Sequence, residues 1–480
     1  MLRLEFDRGT LLVRGDVDAL PDDVVLPGCV YDRRVRLFRA PAWRYREILT
    51  LLHRAEVEHE NDAGGFESLD LRAREVREPF PYQAEAVDTW WRRGRRGVVV
   101  LPTGAGKTFV AQMIAERLGR TMLVVTPTID LMQQWYGVLK TAFDVPVGLV
   151  GGGYYDVEPI TVTTYDSAYI HMERLGKRFA LLVFDECHHL PGPTYATAAE
   201  MSIAPFRLGL TATPEREDGG EKKLDRLIGP IVYRREIGEL AGEFLAEYET
   251  VELRVRLSEE ERGAYLRERE VYRSFLHEEG LYLGTPQGWQ RFLQATSRSE
   301  RGRRAFLAFR AQKTIAQASD AKLRLLETLL ARHRRDRVLI FTSDNETVYR
   351  ISRRFLIPAI THQTKVKERH RALKAFNDGT YPFLVTSRVL NEGVDVPAAS
   401  VGVVLSGSGS VREHVQRLGR ILRRAKDKRA VLYEVVASDT GEEFTSERRR
   451  QHGAYRRGQE DPQSQSAPQG TGGAPAEGGD

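Results

Sequence analysis

The segment LPTGAGKT at 101–108 constrains this chain more than any other stretch. It follows the apolar run GVVVL and precedes Val110, Met113, Ile114 and Leu118 at helical spacing. That succession predicts a strand, a glycine loop and a helix in immediate sequence. Leu101 stands where the full pattern G-x-x-x-x-G-K-[ST] has its first glycine, but the core GAGKT is intact. Thr103, Gly104, Ala105, Gly106, Lys107 and Thr108 then form a phosphate cradle. Backbone N–H groups at a helix start attract anions, Lys107 adds a point charge for β- and γ-phosphates, and Thr108 can ligate Mg²⁺. The plain alternative is a turn that does nothing, and the strand–loop–helix setting weighs against it.

A second element belongs with the first. DECHH at 185–189 closes the apolar run LLVF, and a carboxylate at the C-terminal end of a parallel strand faces the ligand crevice. Asp185 is placed to hold Mg²⁺ and Glu186 to orient and deprotonate an attacking water. The adjoining His188 and His189 have no third ligand at metal spacing, so zinc is not expected. QRLGRILRR at 416–424 sets Arg417, Arg420 and Arg423 three apart on one helix side, where guanidinium groups suit a triphosphate. Standing alone it would read as a solvated basic face.

Apolar runs separated by helical or loop material recur from about 80 to 235: GVVVL, TMLVVTP, TVTTY, LLVFDE and RLGLTATP. They recur again as RVLIFT, AITH, PFLVTS, SVGVVLS and AVLYEVVA. The fold class is therefore α/β, with two parallel-sheet domains in tandem. Between them, 257–318 is dense in Glu and Arg with interspersed aromatics and leucines, and reads as helical. Residues before 73 form a further unit of short strands. The Gly-, Pro-, Gln- and Ser-rich end, 458–480, buries too little apolar surface to fold.

Composition excludes other classes. With 480 residues and 41% hydrophobic, the chain can build several cores. Two cysteines, Cys29 and Cys187, make neither a disulfide framework nor a zinc site and suit a reducing compartment. No run approaches the roughly 20 apolar residues of a membrane span, and the charged start lacks a signal peptide's apolar core, so a cytoplasmic protein without membrane contact is expected. A net charge of +5 is a small excess, but Arg clusters at 33–39, 92–96, 332–337, 423–429 and 448–450 together suggest phosphate contact.

These motifs resemble the helicases of superfamily two, and most closely the archaeal XPB helicases. GAGKT, DECHH, TAT at 211–213, IFT at 340–342, VTSRVLNEGVDVP at 385–397 and QRLGR stand in that family's order. ERED at 215–218 contains the RED triplet of the subgroup. The resemblance covers residues 75–455. It departs at Cys187, Pro214 and Arg424, none of them a catalytic position.

The resemblance implies two RecA-like domains enclosing ATP and Mg²⁺, at 73–249 and 319–457, with an N-terminal damage-recognition-like domain at 1–72 and a helical thumb-like insertion at 250–318. It implies that Gln83 reads adenine, that Gly393 and Asp395 couple nucleotide to DNA, and that Arg420 and Arg423 reach the γ-phosphate. Thr128, Thr164, Thr364 and Thr386 become candidate strand contacts, and Arg216, Glu217 and Asp218 a wedge or coupling device. The activity implied is ATP-driven opening of duplex or forked DNA in the 3′ to 5′ direction, in excision repair or promoter opening, with a nuclease as partner. Two other readings compete: a duplex translocase that does not separate strands, and a nucleotide-gated DNA clamp that recruits a nuclease.

Overall fold

The structure, a computed structural model, describes residues 1–387 apart from 18, 19, 22, 217 and 284, together with 399–406, 419 and 429–450. Gly393, Asp395, Arg420, Arg423, Glu217 and the end segment 458–480 lie outside the described residues.

The first sheet holds β1 (Leu2–Asp7), β2 (Thr10–Arg14), β3 (Val30–Asp32), β4 (Leu37–Pro41) and β5 (His59–Asn61) in the order β3-β4-β2-β1-β5. Hairpin pairing is antiparallel, and β5 returns parallel to β1. Alternating residues Leu2, Leu4, Leu11 and Val13 turn inward against Ile48 and Leu52 of the helix Tyr45–Arg54. The tight β1–β2 turn rests on the next unit: Gly9 has φ +84° and leaves no space for a Cβ beside Met201.

The second sheet holds β6 (Arg96–Val100), β7 (Met122–Thr126), β8 (Val147–Gly151), β9 (Tyr154–Tyr155), β10 (Ile160–Thr164), β11 (Leu181–Asp185), β12 (Phe206–Thr211) and β13 (Ile231–Arg234). Its order is β13-β6-β12-β11-β7-β10-β8-β9, parallel except for the β8–β9 hairpin. Near-continuous apolar strands buried on both faces are what helix-covered parallel sheets require. Strands β8, β9 and β13 are not among the runs singled out from sequence: glycines and tyrosines break their apolar pattern.

The third sheet holds β14 (Glu247–Val255), β15 (Val338–Phe341), β16 (Ala359–Ile360), β17 (Phe383–Thr386), β18 (Val401–Val404) and β19 (Arg429–Ala437), all parallel, in the order β14-β19-β18-β15-β17-β16. Strand β14 precedes the helical segment in sequence but pairs with β19, so the boundary expected at 249/250 falls inside a strand of this sheet.

Residues 257–318 carry three helices, Glu259–Glu278, Pro286–Ser297 and Glu300–Gln317. The first opens with a reciprocal cap between Ser258 and Glu261. They pack around Phe275, Phe292 and Ala305, ringed by Tyr272, Trp289 and Phe309. Among the described residues, no helix is long and apolar enough to cross a membrane.

Candidate nucleotide site

The loop after β6 turns through two left-handed glycines, Gly104 at φ +89° and Gly106 at φ +78°. Gly106 then caps the helix Lys107–Leu118. The loop is braced from behind. Tyr82 Oη and Gln83 Nε2 both donate to the Ala105 carbonyl, at 2.8 and 2.9 Å, and Gln83 Oε1 accepts from Phe80 N–H at 3.0 Å. A Cβ on residue 106 would overlap Gln83 Nε2, so the glycine permits this contact. Burial pushes the Tyr82 hydroxyl up to about 12 and keeps it a donor. Gln83 sits where the sequence pattern expects it, at the start of the helix Pro81–Arg92, but it is 1% exposed and both amide ends are engaged by protein. Lys107 Nζ reaches back to the Leu101 carbonyl at 3.3 Å.

Strands β6, β12 and β11 are neighbours, so the phosphate loop and the DExH box emerge about 10 Å apart on the same sheet edge. Asp185 is buried, with Oδ1 accepting from Glu186 N–H at 3.0 Å and Oδ2 from the Trp135 indole at 2.7 Å. Glu186 follows at φ 46°, ψ 52°, a left-handed turn that non-glycine residues seldom adopt. The fully buried His188 lies 3.4 Å from Glu186 Oε2 and places Nδ1 3.1 Å from Thr211 Oγ1. Thr211 in turn accepts from Thr213 N–H at 3.2 Å, so the TAT segment and the DExH box are one hydrogen-bonded unit. Cys187 is pushed well up by burial, with Glu186 and Asp185 beside it, and stays a neutral thiol.

The residues present fit a magnesium nucleotide. The edge combines a glycine-turned helix start, the Lys107 ammonium, a carboxylate and the Thr108 hydroxyl. Thr103 Oγ1 and Thr213 Oγ1 are buried there without a hydrogen-bond partner among the described residues. The third sheet's unit meets this edge through Gly419 of QRLGR, where a Cβ would overlap the Thr103 side chain.

The other expected contacts are placed less uniformly. Thr128 and Thr164 cap the helices Ile129–Ala142 and Tyr165–Leu175 by accepting from Leu131 and Ser167 N–H. Thr364 Oγ1 accepts from Thr361 N–H at 3.0 Å, and Thr386 is fully buried with its hydroxyl on the Ser387 carbonyl. Arg216 grips both Asp218 oxygens at 2.8 and 2.7 Å and donates to the His188 carbonyl at 2.6 Å. The pairing holds the Asp218 carboxyl well below its usual range. Several clustered arginines are also tied down internally. Arg34 and Arg39 pair with Asp32, Arg95 stacks on Trp91, and Arg96 donates to the Ile228 carbonyl. Burial lowers Arg96 to about 10. Trp135, Tyr82 and His188 were missed as site residues. Trp135 lies in an ordinary amphipathic run, and only the packing of that helix on the sheet brings its indole to Asp185.

Comparison with known proteins shows the family. Residues 4–63 match the Xeroderma pigmentosum group B helicase damage recognition domain, 77–216 the res subunit of type III restriction enzymes, and 321–425 the helicase conserved C-terminal domain. The DNA 3′-5′ translocase XPB2 of Sulfurisphaera tokodaii is 40% identical over 452 residues, 94% of this chain and all of that protein. The chain belongs to the XPB helicase family. The DNA 3′-5′ helicase XPB of Kineococcus radiotolerans is 34% identical, over 77% of this chain and 62% of that one. The crystal structure of the Hef helicase domain of Pyrococcus furiosus aligns with a TM-score of 0.50 at 20% identity, covering 77% of this chain and 98% of that domain, a likeness of fold alone. This XPB-family chain is thus an ATP-dependent helicase with tandem parallel-sheet α/β domains and an N-terminal domain.

Proposed function

We propose that this XPB-family protein uses ATP hydrolysis to move 3′ to 5′ along duplex or forked DNA and open it. The observation that carries the reading is the shared edge of the second sheet. Phosphate loop and DExH carboxylates emerge there two strands apart, and the third sheet's QRLGR glycine touches the loop. The domains run 1–72, 73–249, 250–318 and 319–457, except that β14 at 247–255 belongs with the last of them through its pairing with β19. Lys107 and the loop amides hold the phosphates. Asp185 and Thr108 hold Mg²⁺, which supplies charge neutralisation on the phosphates when bound. Glu186 orients and deprotonates water, and His188 and Thr211 keep it aligned. Gln83, whose amide nitrogen donates to the Ala105 carbonyl and, at 3.5 Å, to the Tyr82 hydroxyl, keeps one Oε1 lone pair that suits an adenine edge. Arg420 and Arg423 serve the γ-phosphate, and Gly393 and Asp395 relay the nucleotide state. The capped helix starts at Thr128 and Thr164, with Thr364, take the strand backbone, while the fully buried Thr386 supports its loop from within. The cellular role is excision repair or promoter opening, with a nuclease as partner.

The test is steady-state phosphate release with and without forked duplex. Lys107→Ala, Glu186→Gln and Arg420→Ala should each cost on the order of 100-fold in kcat, as loss of one transition-state charge does. Near wild-type turnover in Arg420→Ala removes the two-domain site. The name of the Sulfurisphaera relative favours a second reading, a translocase without strand separation. DNA-stimulated hydrolysis with no fork opening selects it.

A further inference from the structure

The helix Ile129–Ala142 joins three features that no one motif accounts for. Thr128 caps its start by accepting from Leu131 N–H. Asp130, in its first turn, pairs with Arg369 on the helix Val366–Asp378 of the third sheet's unit, and Arg369 also donates to the Thr364 carbonyl at 3.2 Å. Seven residues beyond the cap, about 10 Å along the axis, comes Trp135. It is 2% exposed, flanked on the same buried face by Met132 and Leu139, and its indole N–H meets Asp185 Oδ2 at 2.7 Å. One rigid element therefore runs from a candidate strand contact and an inter-unit ion pair to the carboxylate of the hydrolytic site.

We propose that Trp135 is a positioning residue that relays strand engagement and closure of the two units to Asp185. The inference rests on the reading that Asp185 holds the divalent cation and that Thr128 faces the strand. With Glu186 N–H on one oxygen and the indole on the other, the carboxylate has a single orientation. A neutral donor fixes that orientation without cancelling the charge a cation needs, and outer donors of this kind commonly govern affinity and activity. Because Met132, Trp135 and Leu139 are packed as one face, a shift at the helix start carries the indole with it.

Two substitutions separate the hydrogen bond from the packing. Trp135→Phe keeps an apolar ring and loses the donor. Trp135→His keeps an N–H at the place of the indole nitrogen and loses the second ring. Mn²⁺ binding with a non-hydrolysable ATP analogue, read by electron paramagnetic resonance, needs no turnover. Trp135→Phe should weaken Mn²⁺ about tenfold and remove DNA stimulation of hydrolysis while duplex affinity stays as in wild type; Trp135→His should restore Mn²⁺ binding. Equal loss in both variants reduces Trp135 to packing and overturns the proposal, as does a Trp135→Phe protein with unchanged Mn²⁺ affinity. Should Trp135→Phe fail to fold, Asp130→Asn tests the other end. It should lower DNA stimulation and leave DNA-free Mn²⁺ affinity unchanged, and intact stimulation refutes the relay. A wild type without DNA-stimulated hydrolysis overturns the proposed function as well, which sets that failure apart from the others.

Discussion

Lys322 offers a sharp test of how the second α/β unit is held together. Its side chain is fully buried near the start of the helix Asp320–Arg332, and Nζ donates to the Leu405 carbonyl and to Glu442 Oε2, each at 2.6 Å. Glu442 Oε2 also accepts from Ala437 N–H at 3.0 Å. The pair therefore ties the helix Gly441–Arg450 to the end of β18, where Ser406 Oγ accepts from Ser343 N–H at 2.9 Å just before the chain enters the QRLGR segment. Removing one member of a buried pair strands the other charge at a cost of about 3–5 kcal/mol. Lys322→Met should therefore destabilise this unit by that amount, lowering its calorimetric midpoint on the order of 10 °C. Lys322→Met leaves Glu442 with 14% of its side-chain surface exposed, whereas Glu442→Gln strands the fully buried Lys322 ammonium, so Glu442→Gln should cost at least as much as Lys322→Met. Lys322→Met/Glu442→Gln should recover part of the loss, because no charge is left buried. Scanning calorimetry of the four proteins gives the cycle, and ATPase at rising temperature should fail with the same transition. A loss below about 1 kcal/mol in Lys322→Met, or strictly additive costs, would refute a coupled buried pair.

Arg216→Ala should slow phosphate release about tenfold or more, because its charge-assisted bond to the His188 carbonyl braces the DExH box. Asp218→Ala leaves that bond in place and should depress fork opening more than hydrolysis; paired measurement of both rates decides, and equal effects of the two substitutions contradict the bracing role. Burial pushes the Cys29 thiol up to about 11 and the Cys187 thiol well up, so each is protonated until the pH passes its raised value. At pH 8 a disulfide reagent should label neither thiol quickly in the native protein and both after denaturation; rapid native labelling at Cys187 would show that the DExH box opens to solvent.

Much of this molecule was open to reading before any coordinates. A phosphate loop is a local object: GAGKT between an apolar run and a helical pattern needs only neighbouring residues, and β6, Gly104, Gly106 and the helix Lys107–Leu118 follow from them. The apolar runs that became β7, β10, β11 and β12, and β15 to β19, were legible for the same reason, since strands buried on both faces leave unbroken apolar segments. Strand β14 was not. Its alternation of charged and apolar residues reads as easily as linker, and only pairing with β19, more than 170 residues away, makes it part of the third sheet.

The site divides the same way. Residue types fix chemistry, so Lys107, Thr108, Asp185 and Glu186 could be named from motif and order. What braces and links them depends on which surfaces meet, and tertiary packing decided that. Tyr82 and Gln83 seal the back of the loop, His188 bridges to Thr211, and Arg216 ties down the DExH box instead of standing free. The indole of Trp135 on Asp185 is the clearest case. Fifty residues of chain separate them, the tryptophan occupies an ordinary apolar position of its helix, and its N–H has a partner only because that helix lies across the sheet at the end of β11.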